Sequence, residues 1–429
     1  MQKAGKEGAR YLVAQALLEQ CWAYGNMRQA SLATDACKKA QDAFAGVADL
    51  LGKARSLTRI SEIAVGQGDI NQALDLRNQA LVLARQVGSK KDISGALLNI
   101  GNLQSSLENF DAAKKSYEEA LAVAGEIDDK KETLVVENDL GTLYQSLCDF
   151  DKAKETYEKS RVTAEESGDK AGVAKAVYNI GGALYQLGDL QSAQADIQKA
   201  ISAGKEMGDK GNVADWLFTL GDIFLAKDDL ANAEKSYTEA QGFLAPDEKS
   251  RWAVSNLEMA TLNLERGLAP AAEKLARQAA DEFKAEKDVS NEVASRDILG
   301  RALIAQARFD EAQKEIDSAN KHAPKDCGVR LPLAITSARL QAYSRQTAAA
   351  ERAIEGVVSE SKAIKLDGVE LDARLAQGEI EFVAGNAALA RAHLKAVQAL
   401  ATQRHFLLTA RKARALVHAG RPLIAAGAK

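Results

Sequence analysis

The side chains that most often perform chemistry are few in this chain of 429 residues. Its 4 histidines are His322, His393, His405 and His418. None of them stands in the H-x-x-x-H or H-E-x-x-H spacing of a zinc site, and Cys/His pairs at ligand spacing are missing. Adjacent acids such as Asp128 and Asp129 fall at turns, where aspartate is more typical as a helix N-cap than as a general acid. The sequence therefore predicts neither a metal site nor an acid–base centre.

Nucleotide-binding and kinase motifs are absent from the sequence as well. Neither G-x-x-x-x-G-K-[ST] nor G-x-G-x-x-G after a strand occurs, and V-A-I-K, H-R-D and D-F-G are missing. Gly181 and Gly182 are adjacent, but they belong to a predicted helix in register with its neighbours rather than to a phosphate loop. We therefore expect a chain that is not an enzyme and that needs no cofactor.

The 4 cysteines are Cys21, Cys37, Cys148 and Cys327, which lie far apart and follow no pattern. We expect them to be small buried hydrophobic residues in a reducing compartment rather than the staples of an extracellular fold. No signal peptide is visible in residues 1–10, and no apolar run has the length of a membrane helix. These features predict a cytoplasmic protein.

The feature that recurs is a glycine at intervals of 40 residues: Gly101, Gly141, Gly181 and Gly221. An alanine follows each glycine twelve positions later, and a large residue follows four positions after that. These large residues are Tyr117, Tyr157, Ile197 and Tyr237. Self-similarity at a fixed period of this length indicates stacked supersecondary units with an extended surface rather than a globule around a cleft.

With the glycine taken as position 8 of its unit, the same frame covers nearly the whole chain. Position 8 then falls at Leu18, Ser61, Gly101, Gly141, Gly181, Gly221, Ala260, Gly300, Ala338 and Gly378. Each unit is predicted to hold two helices, A and B, with helix A of the third unit over 93–107. Gly188 and Asp189 show the turn chemistry, a left-handed stop followed by a helix cap. Two such turns in 40 residues leave no room for strands, so the fold class is all-α.

The pattern around Gly101, Gly141, Gly181 and Gly221, each followed by its small and large positions, resembles the tetratricopeptide repeat (TPR). The units are about 40 residues long rather than 34, similar to those of kinesin light chains, Leu-Gly-Asn-repeat adaptors and bacterial signalling regulators. The resemblance implies one right-handed superhelical solenoid of about ten helix-turn-helix repeats. Its predicted parts are degenerate repeats at 11–92, regular repeats at 93–255, divergent repeats at 256–401, and a basic capping helix and tail at 402–429.

In the resembled family, a second stripe of helix A, at positions 2, 5, 9 and 12, lines the inner groove. In the central units this stripe and position 6 carry amides and aromatic rings, which suit a peptide or partner helix. The alternative is that the aromatic rings pack against neighbouring repeats. The candidate binding residues are Leu98, Asn99, Asn102, Asn138, Gln145, Tyr178, Asn179, Tyr185, Phe218 and Asp222.

Charge is unevenly distributed along a chain whose formal net charge is −4. No acidic residue follows Glu381, and the basic residues after it are Arg391, Lys395, Arg404, Arg411, Lys412, Arg414, Arg421 and Lys429. This basic end has three interpretations: a polar capping helix, a docking face for an acidic partner or neighbouring domain, or a nucleic-acid site. The acidic body argues against nucleic acid.

Two functions are compatible with these features. The first is a non-enzymatic scaffold that binds a protein or peptide in the groove. The alternative is the sensory or regulatory TPR region of a larger bacterial signalling protein, whose serine/threonine kinase or winged-helix domain lies outside this chain.

Overall fold

The computed structural model describes the backbone of residues 2–420 and the side chains from residue 8 onward. Within that range every regular element is an α-helix, and the 21 helices follow one another along the chain. None of these described helices is long and apolar enough to cross a membrane. The all-α fold class predicted from the sequence is therefore confirmed for this part of the chain.

The helices alternate as the repeat frame predicts. All ten residues assigned to position 8, from Leu18 to Gly378, lie in odd-numbered helices, which are the A helices. The third A helix spans Lys90–Ser106, close to the predicted 93–107. Ten A–B hairpins are followed by one last helix, as expected for ten repeats and a capping helix.

The chain divides into two compact units. Unit 1 comprises Met1–Leu143 and Lys159–Asp169, and unit 2 comprises Tyr144–Glu158 and Lys170–Lys429. Two helices, α7 (Lys130–Ser146) and α8 (Phe150–Ser167), contribute residues to both units. The other helices of unit 1 are α1 (Gln2–Asn26), α2 (Ala30–Ala45), α3 (Leu50–Gln67), α4 (Ile70–Val87), α5 (Lys90–Ser106) and α6 (Phe110–Glu126).

Unit 2 contains the remaining thirteen helices. They are α9 (Lys170–Gln186), α10 (Leu190–Met207), α11 (Lys210–Ala226), α12 (Leu230–Gln241), α13 (Lys249–Glu265), α14 (Ala269–Glu286), α15 (Val289–Ala305), α16 (Phe309–Asn320), α17 (Cys327–Tyr343), α18 (Thr347–Ala363), α19 (Asp367–Val383), α20 (Ala387–Gln403) and α21 (Leu407–Ala419).

The glycines at position 8 allow helix A to approach helix B. A Cβ atom at Gly221 would lie 2.2 Å from Cε1 of Tyr237, which is far too close for two carbon atoms. A Cβ atom at Gly181 would lie 2.8 Å from Cγ1 of Ile197. At these two positions the large residue of helix B thus occupies the space that a side chain on helix A would need.

The turns follow the predicted chemistry, with one extension. Gly188 has a φ of 85°, and the side chain of Asp189 accepts a hydrogen bond of 3.0 Å from the backbone N–H of Ser192. Cys148 and Asp228 occupy the corresponding position of their repeats with φ values of 61° and 62°. The left-handed stop is therefore kept at these two turns although glycine is missing, and the aspartate that follows each of them, Asp149 or Asp229, still caps the next helix.

The pairing of the cysteines differs from the sequence expectation. Cys21 is bonded to Cys37 within unit 1, and Cys148 is bonded to Cys327 within unit 2. The second pair is 179 residues apart in sequence, yet its Cα atoms lie 6.2 Å apart, a normal disulfide separation. The expectation of unpaired cysteines was wrong: the first pair joins the two helices of one hairpin, and the second joins residues that the fold brings together from distant repeats.

Unit 2 folds back on itself at this disulfide. Phe150, at the start of α8, belongs to the same hydrophobic cluster as Leu331 and Ile335 of α17. Nearby, Nζ of Lys365 lies 2.6 Å from Oδ2 of Asp151. The later repeats of unit 2 therefore contact its earliest turns.

Candidate partner-binding surfaces

In unit 1 the predicted amides are turned toward their own helices. Nδ2 of Asn99 donates to the carbonyl oxygen of Gly95 at 2.6 Å, and Nδ2 of Asn138 donates to that of Leu134 at 2.9 Å. Leu98 is buried in the core, only 7% exposed. These three side chains contribute to packing more than to an open surface.

The amides and carboxylates at position 9 have a partner that spacing alone did not suggest. The hydroxyl of Tyr117 donates to Oδ1 of Asn102, fifteen residues before it. In unit 2, the hydroxyl of Tyr237 donates to Oδ1 of Asp222 at 2.7 Å, over the same spacing. The polar residue at position 9 of helix A therefore satisfies the hydroxyl of the large residue on helix B, which would otherwise be buried without a partner.

Three other repeats clarify this rule. In the second repeat Arg77 replaces the tyrosine, and its Nη2 lies 3.4 Å from Oε1 of Glu62 at position 9. In the fourth repeat the hydroxyl of Tyr157 donates to Gln145 at 2.9 Å, one turn further along helix A. In the fifth repeat the large residue is Ile197, which has no hydroxyl, and position 9 is a glycine, Gly182. In these repeats a polar helix B residue therefore has a polar partner on helix A, at position 9 or, in the fourth repeat, at position 12.

Tyr178 lies between two neighbouring A helices of unit 2. Its ring stacks on that of Trp216, with centroids 5.5 Å apart, and its hydroxyl forms a hydrogen bond of 3.0 Å with Oγ1 of Thr219. The adjacent Asn179 is half-buried. The ring of Tyr178 thus packs against the next repeat, which is the alternative to partner binding considered for the aromatic residues.

The predicted binding residues further along the stripe are buried in the interior of unit 2. Phe218 is 4% exposed, and it shares a hydrophobic cluster with Phe406 and Leu408 near the C-terminus. Burial raises the pKa of the Tyr185 hydroxyl above its usual value, with a further contribution from the Asp222 carboxylate. Burial also raises the pKa of Asp222 to about 6, and burial together with Asp222 raises the pKa of Glu258.

The last helix, α21, covers this part of the stripe in unit 2. Nε of Arg411 lies 2.9 Å from Oδ1 of Asp228, in the turn before α12, and Nζ of Lys412 lies 2.6 Å from Glu265, at the end of α13. Burial opposes the charged form of Glu265, but the cations of Lys412 and Arg301 outweigh burial and lower its pKa.

The basic end predicted from the sequence is therefore partly neutralised within the chain. Arg411 and Lys412 pair with carboxylates of unit 2 itself, so for these two residues the acidic partner is intramolecular. The predicted capping helix is present as α21. Arg421 and Lys429 lie outside the described residues.

One open part of the stripe is at the N-terminal end of unit 1, and Asn102 and Thr142 at position 9 are exposed as well. A cavity of about 620 Å³ lies between α1 and α3, and we call it the N-terminal groove. Positions 5, 9 and 12 of the first repeat and positions 2, 5 and 9 of the second contribute to it. Its lining residues are Tyr11, Gln15, Leu18, Glu19, Trp22, Phe44, Asp49, Gly52, Arg55, Thr58, Arg59 and Glu62.

Comparison with known protein families identifies the family of the chain. The model of the MalT-like TPR region matches residues 94–353, which is more than half of the sequence. The chain belongs to the MalT-like TPR family. No curated protein matches it.

Solved structures with the same repeat fold include the apo form of the quorum sensor NprR from B. thuringiensis. It is 14% identical, with a TM-score of 0.52 over 82% of this chain and 99% of that one. BtubC from P. vanneervenii is 20% identical, with a TM-score of 0.45 over 53% of this chain and 91% of that one. A STAND protein with a TPR sensor from Pyrococcus horikoshii is 16% identical, with a TM-score of 0.48 over 79% of this chain and 55% of that one.

The MalT-like TPR frame also explains what sequence reasoning missed. The N-terminal groove lies outside the matched residues, and its two repeats have Leu18 and Ser61 at position 8 in place of glycine. The sequence frame included these two repeats, but binding residues were chosen only from the central units; the same frame assigns Trp22 to position 12 of the stripe. No group of three or more His, Cys, Asp or Glu side chains in the described part of the chain is placed to hold a metal ion.

Proposed function

We propose that this MalT-like TPR chain is a non-enzymatic scaffold that binds an extended peptide or a helix of a partner protein in the N-terminal groove. The observation that carries the proposal is the exposure of the groove's aromatic residues. Trp22 is 49% exposed and Tyr11 is 38% exposed, although both border a cavity. Exposed aromatic residues in a concave site are typical anchors of a protein interface.

The chemistry of the groove suits a peptide. The side chain of Trp22 offers a large apolar surface, and it loses little conformational entropy when a ligand binds. Arg55 and Arg59 lie on α3 with side chains that are 59% and 39% exposed. Arg55 pairs with Asp92 at 3.5 Å and Arg59 pairs with Glu62 at 2.7 Å, so a carboxylate or backbone carbonyl of the ligand would bind these guanidinium groups in competition with the two acids. Anchoring by Trp22 and orientation by the two arginines together define one end of a binding site.

The contrast between the two units supports the choice of surface. In unit 2 the stripe is covered by the last helices of the same chain, whereas in unit 1 the corresponding positions of α1 and α3 border an open cavity. Of the residues chosen from the sequence, Phe218 of unit 2 remains a candidate for a second surface, which becomes available only if α21 moves.

A second function, the sensory region of a larger signalling protein, is favoured by the fold-back of unit 2. A ligand that bound an open arrangement of unit 2 better than this closed one would shift the population toward the open arrangement. The likeness to the quorum sensor NprR concerns the fold, and it is compatible with this role.

The test begins with a displayed library of random peptides selected against the full chain. We expect selected peptides to bind with a Kd that Trp22→Ala weakens about 10-fold or more, as for a central aromatic anchor. Leu32→Ala is the matched control, because Leu32 is 50% exposed on α2 and does not line the groove. Isothermal titration calorimetry gives both affinities.

Two results would reject the N-terminal groove as the binding surface. One is a selection whose peptides do not compete with one another for a single site on the chain. The other is an affinity that Trp22→Ala and Leu32→Ala change equally.

A further inference from the structure

We propose that the surface of unit 2 beneath α21 is a docking site for a helix of a partner protein, and that α21 occupies it as an internal ligand. We call this surface the acidic face. It comprises the carboxylates of Asp228 and Glu265 and the apolar side chains of α11 and α13 that share a hydrophobic cluster with Leu408. The acidic face is separate from the N-terminal groove, so the proposal goes beyond the function proposed above.

The two sides of α21 have different partners. Ala413 and Leu416 belong to a cluster with α19 and α20, the hairpin that precedes α21. Leu408, Arg411 and Lys412 are spaced i, i+3 and i+4, so they form one stripe of the helix, which adjoins Leu416 four positions after Lys412. Helices that bind in grooves present their anchors at this spacing. This stripe of α21 therefore has the form of a helical ligand.

The charges make the fit specific. Nε of Arg411 is 2.9 Å from both carboxylate oxygens of Asp228, and Nζ of Lys412 is 2.6 Å from Glu265. The occupant that matches the acidic face is thus a helix with an apolar residue followed, three and four positions later, by two basic residues. Charge-assisted pairs of this kind select a partner by sign as well as by shape.

The fit of α21 is incomplete. Nη2 of Arg411 is buried without a hydrogen-bond partner among the described residues. A buried donor without a partner reduces the stability of the contact. A partner helix that satisfies this donor would compete with α21, even though α21 benefits from being tethered in the same chain.

The tether determines how the competition is measured. A short linker gives a tethered segment an effective concentration on the order of millimolar. Only residues 404–406 separate α20 from α21. An added helix therefore binds the acidic face of the wild-type chain weakly, and it binds well only when the internal contact has been weakened.

The probe is a fluorescein-labelled synthetic peptide of residues 404–420, added to the full-length chain and followed by fluorescence anisotropy. The chain carrying Arg411→Glu and Lys412→Glu should bind the peptide about 10-fold or more tightly than the wild type, because its own α21 no longer competes. A peptide with the same two reversals should lose that binding. Arg414→Glu is the matched control, since Arg414 is an exposed residue on the same helix.

Hydrogen exchange of residues 210–226 separates docking from unfolding. In the doubly reversed chain this segment should exchange faster than in the wild type, and saturating peptide should restore its protection. If the double reversal lowers helical content in circular dichroism, Arg411→Gln is used instead, with a gain of about 3-fold expected from the loss of one ion pair.

Several outcomes overturn the proposal. They are a peptide that binds neither chain, equal binding of the normal and reversed peptides, and an Arg414→Glu chain that gains as much affinity as the double variant. A doubly reversed chain that dimerises in sedimentation velocity would also overturn it, because the occupant would then be a second copy. None of these outcomes bears on Trp22, so failure here leaves the N-terminal groove intact.

Discussion

The hydroxyl of Tyr237 donates a 2.7 Å hydrogen bond to Oδ1 of Asp222, and this carboxyl group lies beside Glu258 in the interior of unit 2. Two neighbouring carboxyl groups in a buried site retain protons more readily than they do in water. The structure therefore places an acid-sensitive pair where the binding stripe was predicted.

This pair gives unit 2 a pH dependence of known sign. The folded pKa of Asp222 is about 6, above the ordinary aspartate value of 3.8. The folded state therefore binds more protons than the unfolded state between these values, and stability falls as pH rises from about 4 through 6. We expect wild-type unit 2 to melt at a lower temperature at pH 7.5 than at pH 5, and Asp222→Asn to reduce this difference.

Differential scanning calorimetry at the two pH values measures the effect. Asp247→Asn is the control, because Asp247 is exposed in the turn between α12 and α13. Equal pH dependence in the two variants would contradict the role of the pair.

Two adjacent glycines test the helix packing. A Cβ atom at Gly181 would lie 3.2 Å from the backbone oxygen of Ala193 as well as close to Ile197, whereas one at Gly182 would meet nothing within 4 Å. We expect Gly181→Ala to destabilise unit 2 by about 1–3 kcal/mol through overpacking. Gly182→Ala should stabilise it by up to about 1 kcal/mol, because alanine is the better helix former.

Chemical denaturation followed by circular dichroism gives both values. The test depends on the two substitutions changing the free energy of unfolding in opposite directions at neighbouring positions. Equal effects would mean that the repeat frame is misplaced at α9.

The ring of Tyr178 supports a prediction about stability rather than binding. Because this ring stacks on Trp216, Tyr178→Ala should destabilise unit 2 by about 2–4 kcal/mol, whereas Tyr178→Phe should cost about 1 kcal/mol for its hydrogen bond to Thr219. Urea unfolding of both variants measures the two costs. A Tyr178→Ala chain as stable as the wild type would support the original interpretation of this residue as a free anchor.

The cysteines give a direct chemical test. The structure predicts no reactive thiol in the native protein, since all four cysteines are paired. Thiol titration under native conditions should therefore be negative, and should detect four thiols after reduction and unfolding. In the chain-entropy model the long loop stabilises unit 2 by up to about 5 kcal/mol, against about 3 kcal/mol for the short loop of unit 1.

Hydrogen exchange locates the effect of each bond. Cys327→Ser should loosen residues 144–158 and 327–343, and Cys37→Ser, the matched control, should leave them protected. Four thiols reacting in the native protein would instead support the reducing, cytoplasmic environment predicted from the sequence.

The repeat architecture could be predicted because it depends on local rules. Gly101, Gly141, Gly181 and Gly221 mark positions where one helix touches the next, and such contacts recur with the period of the sequence. Turn residues such as Asp189 act within three residues of their own position. Both kinds of signal are visible in a single chain.

The surface was harder to predict because its accessibility depends on contacts between distant parts of the chain. Phe218 lies on helix A of its repeat as its spacing indicates, but its burial depends on a cluster with residues such as Leu408, 190 positions away. Likewise, Asn102 lies at the expected position, but its Oδ1 accepts a hydrogen bond from the hydroxyl of Tyr117. A residue's place on a helix follows from spacing, whereas its exposure depends on what the rest of the chain covers. That residues 1–429 form a single domain remains a prediction.

The two disulfides also impose an order on biosynthesis. Cys37 leaves the ribosome soon after Cys21, so that pair can close while the first hairpin is emerging. Cys148 must wait for a partner 179 residues later. At translation rates of about 5–20 residues per second this delay is roughly 9–36 s. During that interval Cys148 lacks its native partner, and the repeats between the two cysteines must be made before the bond can form.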